Sequence, residues 1–128
     1  MYRDQPIRVL VVDDHPAVRE ALTIFLDAQP DIVVVGQASS GMDAVSQCRT
    51  VMPDIVLMDM AMPGMDGVDA SRAILQASPR VQVIMLSSYN NETLALAAER
   101  AGAAGYLSKS GALKQLIQLI RVAANGNC

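Results

Sequence analysis

Five short aliphatic runs recur along the chain, and they limit the possible folds more than any other feature of the sequence. Each run is continuous rather than alternating, which is typical of strands covered on both faces of a parallel sheet. The runs are Val9–Val12, Ile32–Val35, Ile55–Met58, Val83–Leu86 and Ala103–Leu107.

Segments with apolar residues at helical spacing follow each of these runs. They predict helices over Val18–Leu26, Met42–Val51, Val68–Ala77, Leu94–Ala101 and Leu113–Ile120. Ser40, with Asp43 three residues later, predicts the start of the second helix, and Gly102 predicts a left-handed cap after the fourth. The order predicts an α/β fold, a (βα)5 doubly wound parallel sheet with helices on both faces.

Composition restricts the function classes. The 128 residues predict one domain, and 52% hydrophobic with 3% aromatic residues predicts an aliphatic core. The net charge of −3 argues against a nucleic-acid-binding surface. The two cysteines, Cys48 and Cys128, have no metal or redox spacing, which favours a reducing, cytoplasmic setting. No signal peptide is recognisable and no apolar stretch approaches the roughly 18 residues of a membrane span, so we expect no membrane partner.

Polar residues follow four of the five predicted strands. Asp13 and Asp14 follow the first strand, Asp59 the third and Ser87 the fourth, and Lys109 comes shortly after the fifth. Ligands of open α/β sheets bind outside the carboxyl ends of the strands, so we expect these side chains to meet at one edge.

This set of side chains favours phosphoryl chemistry at a divalent cation. Clustered carboxylates repel one another unless a cation neutralises them, and oxygen ligands suit Mg²⁺. An exposed Asp59 beside the metal can attack phosphorus and form an acyl phosphate. Lys109 and Ser87 would then face the charge on the phosphoryl oxygens.

Each of these residues also has a simpler interpretation. Asp13 and Asp14 alone would fit a helix cap, Asp59 a turn, Lys109 a surface charge and Ser87 a loop cap. For His15, which precedes Pro16, we favour a structural or surface role. We expect hydrophobic packing rather than metal binding from the methionines around the third strand's end, Met60, Met62 and Met65.

Three motifs together resemble a response-regulator receiver domain. They are residues 11–16, Val-Val-Asp-Asp-His-Pro; residues 54–67, from Asp54 through Asp59 to Gly67; and residues 105–109, Gly-Tyr-Leu-Ser-Lys. The resemblance covers Ile7 to about Ala124, and the first and last motifs resemble in particular the receivers of NarL/LuxR-type transcription regulators.

The resemblance implies a flavodoxin-like fold with strand order 2-1-3-4-5, and it implies a site. Asp59 would accept a phosphoryl group from a sensor histidine kinase. The backbone carbonyl of Ala61 would join Asp13, Asp14 and Asp59 in holding Mg²⁺ or Mn²⁺. Ser87 would move to meet the phosphate and Tyr106 would swing inward, so that residues 91–121 bind a partner or a second copy of the chain.

Some positions depart from the family pattern. Ser110 follows Lys109 where many receivers have a proline after a cis bond, and it suits the N-cap of the last helix instead. Ala61 has no side chain that could orient a hydrolytic water, and Tyr89 is bulky enough to shield the site. We therefore expect slow hydrolysis of the phosphoryl bond, over minutes or longer. Asp66 is expected to cap the third helix, with Gly64 and Gly67 permitting the turn.

Two other functions use similar features. A phosphatase of the haloacid-dehalogenase type would place Asp-x-Asp after the first strand, where this chain has Asp13-Asp14-His15. A nucleotide- or flavin-binding module would need a glycine- or hydroxyl-rich first loop, and the acidic pair would repel phosphates there.

The domain organisation follows from the same resemblance. We expect residues 1–128 to form a single receiver domain with no DNA-binding domain in it. NarL/LuxR-type regulators normally carry a helix-turn-helix domain after the receiver. We therefore expect this sequence to be the front half of a transcription factor rather than a free-standing receiver, with DNA contacted only through that further domain.

Overall fold

The computed structural model describes residues 5–60, 67–88, 92–109, 111 and 113–125. Strands and helices alternate along the chain. The strands are β1 (Ile7–Val12), β2 (Ile32–Ala38), β3 (Ile55–Asp59), β4 (Gln82–Ser87) and β5 (Gly105–Ser108). The helices are α1 (Pro16–Asp27), α2 (Gly41–Val51), α3 (Gly67–Ala77), α4 (Glu92–Arg100) and α5 (Leu113–Asn125).

The strands form one parallel sheet in the order β2-β1-β3-β4-β5, which confirms the predicted topology. Successive residues of β1 point to opposite faces. Leu10 and Val12 pack in a cluster with α2, α3 and α4, whereas Val9 and Val11 pack in a cluster with α1 and α5. Both faces are therefore covered, as continuous apolar strands require.

Two predicted helix ends are confirmed. The Ser40 hydroxyl accepts a hydrogen bond from the Asp43 backbone N–H at 3.1 Å, at the start of α2. Gly102 has a φ of 93° after α4. Its N–H donates to the Glu99 carbonyl and the next N–H, of Ala103, donates to the Ala98 carbonyl, each at 3.0 Å. This is the Schellman arrangement that a left-handed glycine allows.

Several strand boundaries differ from the prediction. β2 continues to Ala38 rather than ending at Val35, because pairing with β1 resumes after a register shift between Val9 and Leu10. β5 begins at Gly105 rather than Ala103. No helix in the described ranges is both long enough and apolar enough to cross a membrane.

Candidate functional site

The carboxyl ends of four strands bring the predicted polar residues to one edge of the sheet. Asp13 and Asp14 follow β1, Asp59 is the last residue of β3, and Ser87 is the last residue of β4. Lys109 directly follows β5. Parallel pairing fixes this convergence, since Asp59 lies beside Leu86 and Ser87 lies beside Ser108.

Lys109 joins two of the three carboxylates. Its Nζ donates to Asp13 Oδ2 at 2.8 Å and lies 3.3 Å from Asp59 Oδ2. Asp13 is 1% exposed and Asp59 2%, whereas the Asp14 side chain is 25% exposed. The expectation of an exposed Asp59 is therefore wrong, because the end of β3 lies inside the sheet between its neighbouring strands. We call Asp13, Asp14 and Asp59 the acidic cluster. Lys109 is thus a half-buried partner of this cluster rather than a solvated surface charge.

The pKa values of Asp13 and Lys109 reflect this pairing. Burial raises the pKa of Asp13, but the hydrogen bonds from Lys109 and from the His15 backbone outweigh it, so the pKa lies below its usual value. Burial lowers the pKa of Lys109, but the Asp13 hydrogen bond and the charges of Asp59 and Asp13 raise it above its usual value. Both groups are therefore charged at neutral pH.

The acidic cluster has the donor set of a divalent cation site. One oxygen of each carboxylate and a ring nitrogen of His15 lie within 4.8 Å of one another. Asp14 Oδ1 is shielded from solvent and has no hydrogen-bond partner among the described residues, although His15 Nδ1 lies 3.2 Å away. A shielded carboxylate oxygen without a donor is costly unless a cation meets it. The residues present therefore fit a hard divalent ion.

His15 lies closer to the acidic cluster than the sequence indicated. It occupies the N-cap position of α1 without a side-chain capping bond, and its side chain is 65% exposed, as the surface interpretation expected. Its ring Nδ1, however, lies 3.1 Å from Asp13 Oδ1. Because His15 holds the N-cap position, neither Asp13 nor Asp14 is the cap of α1.

Arg19 fastens the segment that follows β1, a role that the sequence did not predict. Its Nη1 donates to the Asp13 carbonyl at 2.8 Å and its Nε donates to Gln37 Oε1 at 3.2 Å. Arg19 lies one turn into α1, so a periodicity argument could place it on the helix but could not identify its partners. The hydrogen bonds tie the end of β1 to β2.

Gly67 lies against the backbone of Asp59. A Cβ at Gly67 would collide with the Asp59 carbonyl oxygen and would lie 2.8 Å from Met60 Cα. The sequence predicts a turn at Gly67, but Gly67 is the first residue of α3. The glycine is required for this close approach rather than for a turn.

Ser87 ends β4 next to Leu86, which pairs with Asp59, and Tyr106 lies in β5 two residues before its end. Ser87 is 2% exposed, and its carbonyl accepts a hydrogen bond from the Lys109 backbone N–H at 2.6 Å. Tyr106 is half-buried in β5 beside Met85 and packs against the core cluster on the α2, α3 and α4 face. Met60 is buried in the same cluster, as hydrophobic packing predicted.

Several predicted positions lie outside the described residues. They are the metal-ligand carbonyl of Ala61, the shielding Tyr89, the helix cap Ser110 with its preceding peptide bond, and Met62, Gly64, Met65, Asp66 and Cys128. The expectations attached to them stay predictions.

Comparison with known proteins identifies the family. The pattern described as the response regulator receiver domain matches residues 9–121. The chain belongs to this family. A receiver domain is the phosphoryl-accepting signal receiver of a two-component response regulator, and receiver domains typically act as signalling switches. The resemblance inferred from the three motifs is therefore confirmed.

Individual relatives agree with this assignment. The response regulator UvrY of Escherichia coli K12 is 45% identical over 120 residues, which are 94% of this chain and 55% of UvrY. A LuxR-family two-component response regulator from Aurantimonas sp. SI85-9A1 superposes with a TM-score of 0.91 at 34% identity, over 95% of this chain and 87% of that one. The signal receiver domain of the NarL response regulator from Mycobacterium tuberculosis superposes with a TM-score of 0.90 at 31% identity, over 95% of this chain and 98% of that one. This receiver chain thus spans about half the length of the curated relative.

Proposed function

We propose that Asp59 is the residue of this receiver that accepts the phosphoryl group, from a sensor histidine kinase. The supporting observation is its position at the end of β3, with its carboxylate 3.3 Å from Lys109 Nζ and in reach of Asp13 and Asp14. Asp13, Asp14, Asp59 and the backbone carbonyl of Ala61 are the proposed ligands of Mg²⁺ or Mn²⁺.

Each residue of the site has a separate role in the phosphoryl transfer. One Asp59 carboxylate oxygen forms a bond to phosphorus while the bond from phosphorus to the kinase's histidine nitrogen breaks, which leaves an acyl phosphate and a free imidazole. Lys109 is held by Asp13 and faces the charge on the phosphoryl oxygens, and the Ser87 hydroxyl approaches the same oxygens. The bound divalent ion supplies neutralisation of the clustered negative charge.

The proposed output is a shift between two conformations of the receiver. Phosphorylation would favour the state in which Ser87 and Tyr106 have moved toward the site. Tyr106 connects the site to α4, because it lies on the β4–β5 side and packs in the cluster that includes α4 residues. The changed surface, formed by α4, β5 and α5, would bind a second copy, a partner or a helix-turn-helix domain that contacts DNA and regulates transcription.

The same proposal includes the domain organisation of the chain and its location in the cell. Residues 1–128 act as one receiver domain, a switch that assists its own phosphorylation and dephosphorylation and turns over no other substrate. Its setting is the cytoplasm, where a buried free thiol such as Cys48 stays reduced.

Incubation with acetyl phosphate and Mg²⁺, followed by intact mass spectrometry, tests the acceptor assignment. We expect the mass of one phosphoryl group to be added to the wild-type chain and to Asp54→Asn, but not to Asp59→Asn. Asp54 is a matched control because it precedes the same strand at its opposite end, where it accepts a hydrogen bond from the Arg8 N–H.

Two results would contradict the assignment. Phosphorylation of Asp59→Asn at the wild-type level would place the acceptor elsewhere. Continuous turnover of a generic phosphate ester, abolished by Asp59→Asn, would favour the phosphatase alternative. Size-exclusion chromatography of the phosphorylated sample reports whether a second copy is bound.

A further inference from the structure

The His15 ring belongs to the described part of the site, and phosphoryl acceptance leaves it without a role. Its Nδ1 lies 3.1 Å from Asp13 Oδ1 and 3.2 Å from Asp14 Oδ1. Three atoms that carry lone pairs meet at this point, and only a positively polarised atom between them makes the arrangement favourable. A proton on Nδ1 meets this need, and so does a divalent cation.

The separations suit ligands of a single ion. Neighbouring ligands of an octahedral ion with bonds of about 2.1 Å lie about 3.0 Å apart, and opposite ligands about 4.2 Å apart. The His15 nitrogen matches the first separation with both carboxylates, and the whole group with Asp59 spans at most 4.8 Å. This span exceeds the separation of opposite ligands by about 0.6 Å, so the side chains would have to approach one another by that amount to share one ion.

The local backbone holds the ring in place. The His15 N–H donates to Asp13 Oδ1 at 2.9 Å, and Pro16 follows as the first residue of α1. The His15 carbonyl accepts from the Arg19 N–H at 3.0 Å. The backbone of His15 is therefore fixed at both its N–H and its carbonyl, and its side chain is 65% exposed beside the acidic cluster.

We propose that His15 is a metal-specificity residue, whose Nδ1 adds an imidazole ligand to the acidic cluster and so raises its preference for divalent transition ions over Mg²⁺. This inference rests on the proposed assignment of the acidic cluster as the metal site. Mg²⁺ prefers oxygen and keeps its waters, whereas transition ions gain from an imidazole nitrogen.

Pulsed EPR of the Mn²⁺-loaded full chain tests the inference directly. The protein sample is prepared without a histidine tag. The chain contains one histidine, so any imidazole ¹⁴N coupling to Mn²⁺ comes from His15. We expect this coupling in the wild type and its loss in His15→Ala. We also expect the Kd for Ni²⁺, an ion that imidazole suits, to rise about tenfold in His15→Ala, while the Kd for Mg²⁺ changes less than about twofold.

A control variant and the pattern of results distinguish the role of His15 from the assignment of the acidic cluster as the metal site. Glu20→Ala removes another exposed side chain from α1, outside the acidic cluster, and should change neither Kd. Binding of Mg²⁺ and Mn²⁺ to the wild type without ¹⁴N coupling overturns the role of His15 alone. Equal weakening of Mg²⁺ and Ni²⁺ in His15→Ala overturns the specificity claim. Failure of the wild type to bind either ion overturns the metal site itself.

Discussion

Gly67 shows how closely α3 approaches the proposed phosphoacceptor. An added methyl group would meet the backbone of Asp59 and Met60, which cannot rotate away. We expect Gly67→Ala to lower the free energy of unfolding by about 1–3 kcal/mol, the usual range for overpacking, as measured by urea denaturation.

Gly36→Ala is the matched control for this substitution. A Cβ at Gly36 would lie 2.7 Å from Gln47 Oε1, the end of a side chain that can move. Its cost should therefore be clearly smaller. Equal losses in the two variants would show that the Asp59 backbone yields readily, contrary to our interpretation.

Cys48 makes the stability of the chain sensitive to alkaline pH. Burial raises the pKa of this thiol from 9.0 to about 11. The unfolded chain therefore ionises first, so stability is fully present below pH 9 and is lost as the pH rises toward 11. Between pH 9 and pH 11 we expect the wild type to lose about 2 kcal/mol more than Cys48→Ala, as measured by urea unfolding at each pH.

Thiol reactivity provides an independent check. In Cys128→Ser, where Cys48 is the remaining cysteine, a thiol reagent at pH 8 should react only after denaturation. Rapid modification of the folded variant would contradict the burial of Cys48.

At the residue scale, the sequence predicted the members of the site better than their contacts. Asp59 and Lys109 could be placed at one edge because strand ends of a parallel sheet converge. The bond from Arg19 to the Asp13 carbonyl and the space needed at Gly67 could not be predicted. The first depends on where a side chain of α1 meets the segment after β1, and the second depends on the approach of two backbones. No local pattern encodes either.

Among the helices, α2 offers the clearest test of a local signal. Ser40 caps it, and Asp43 Oδ2 accepts a hydrogen bond from the Ser39 N–H at 3.3 Å, so each side chain satisfies a backbone donor. We expect Ser40→Ala to lower the free energy of unfolding by about 1 kcal/mol in urea denaturation.

Ser46→Ala is the control, since Ser46 is exposed within the same helix. Alanine has the higher helix propensity there, so this change should be neutral or slightly stabilising. Similar losses in the two variants would indicate that the Ser40 hydroxyl contributes no capping bond to the folded chain.

The boundaries of the strands could not all be predicted from the apolar pattern of the sequence. The apolar run of β2 ends at Val35, yet Gln37 still pairs with Val11 beyond the register shift. Hydrogen bonding to a neighbouring strand extends β2 past its hydrophobic residues. Such a continuation depends on the partner strand and is not visible in the residues of β2 themselves.

For the molecule as a whole, we expect Mg²⁺ to raise stability. The ion would bind the folded chain and not the unfolded one, because the acidic cluster exists only after folding. At ten times its Kd, Mg²⁺ should add about 1.4 kcal/mol to the free energy of unfolding, relative to EDTA at equal ionic strength.

Asp14→Asn should remove most of this gain, since it takes away one proposed ligand. Glu99→Gln, an exposed change on α4, should retain it. An undiminished gain in Asp14→Asn would mean that Mg²⁺ acts elsewhere on the molecule.

The sheet order was predictable at this scale, whereas the contacts that fasten distant segments were not. Arg121 in α5 binds both oxygens of Asp31, just before β2, at 2.7 and 2.9 Å. Ninety residues separate the two in sequence. Neither residue belongs to a motif, and both side chains are partly exposed, so composition and periodicity carry no sign of this pair.

The position of β5 at the border of the sheet has a consequence for synthesis. Lys109 directly follows this last strand, and its backbone N–H donates to the Ser87 carbonyl on the neighbouring strand. A nascent polypeptide whose first eighty-odd residues have already collapsed would carry its aspartates without their ammonium counterion. The proposed acceptance of a phosphoryl group by Asp59 would therefore begin late, after Lys109 has emerged from the ribosome, so that unfinished chains would not compete with mature ones for the signal.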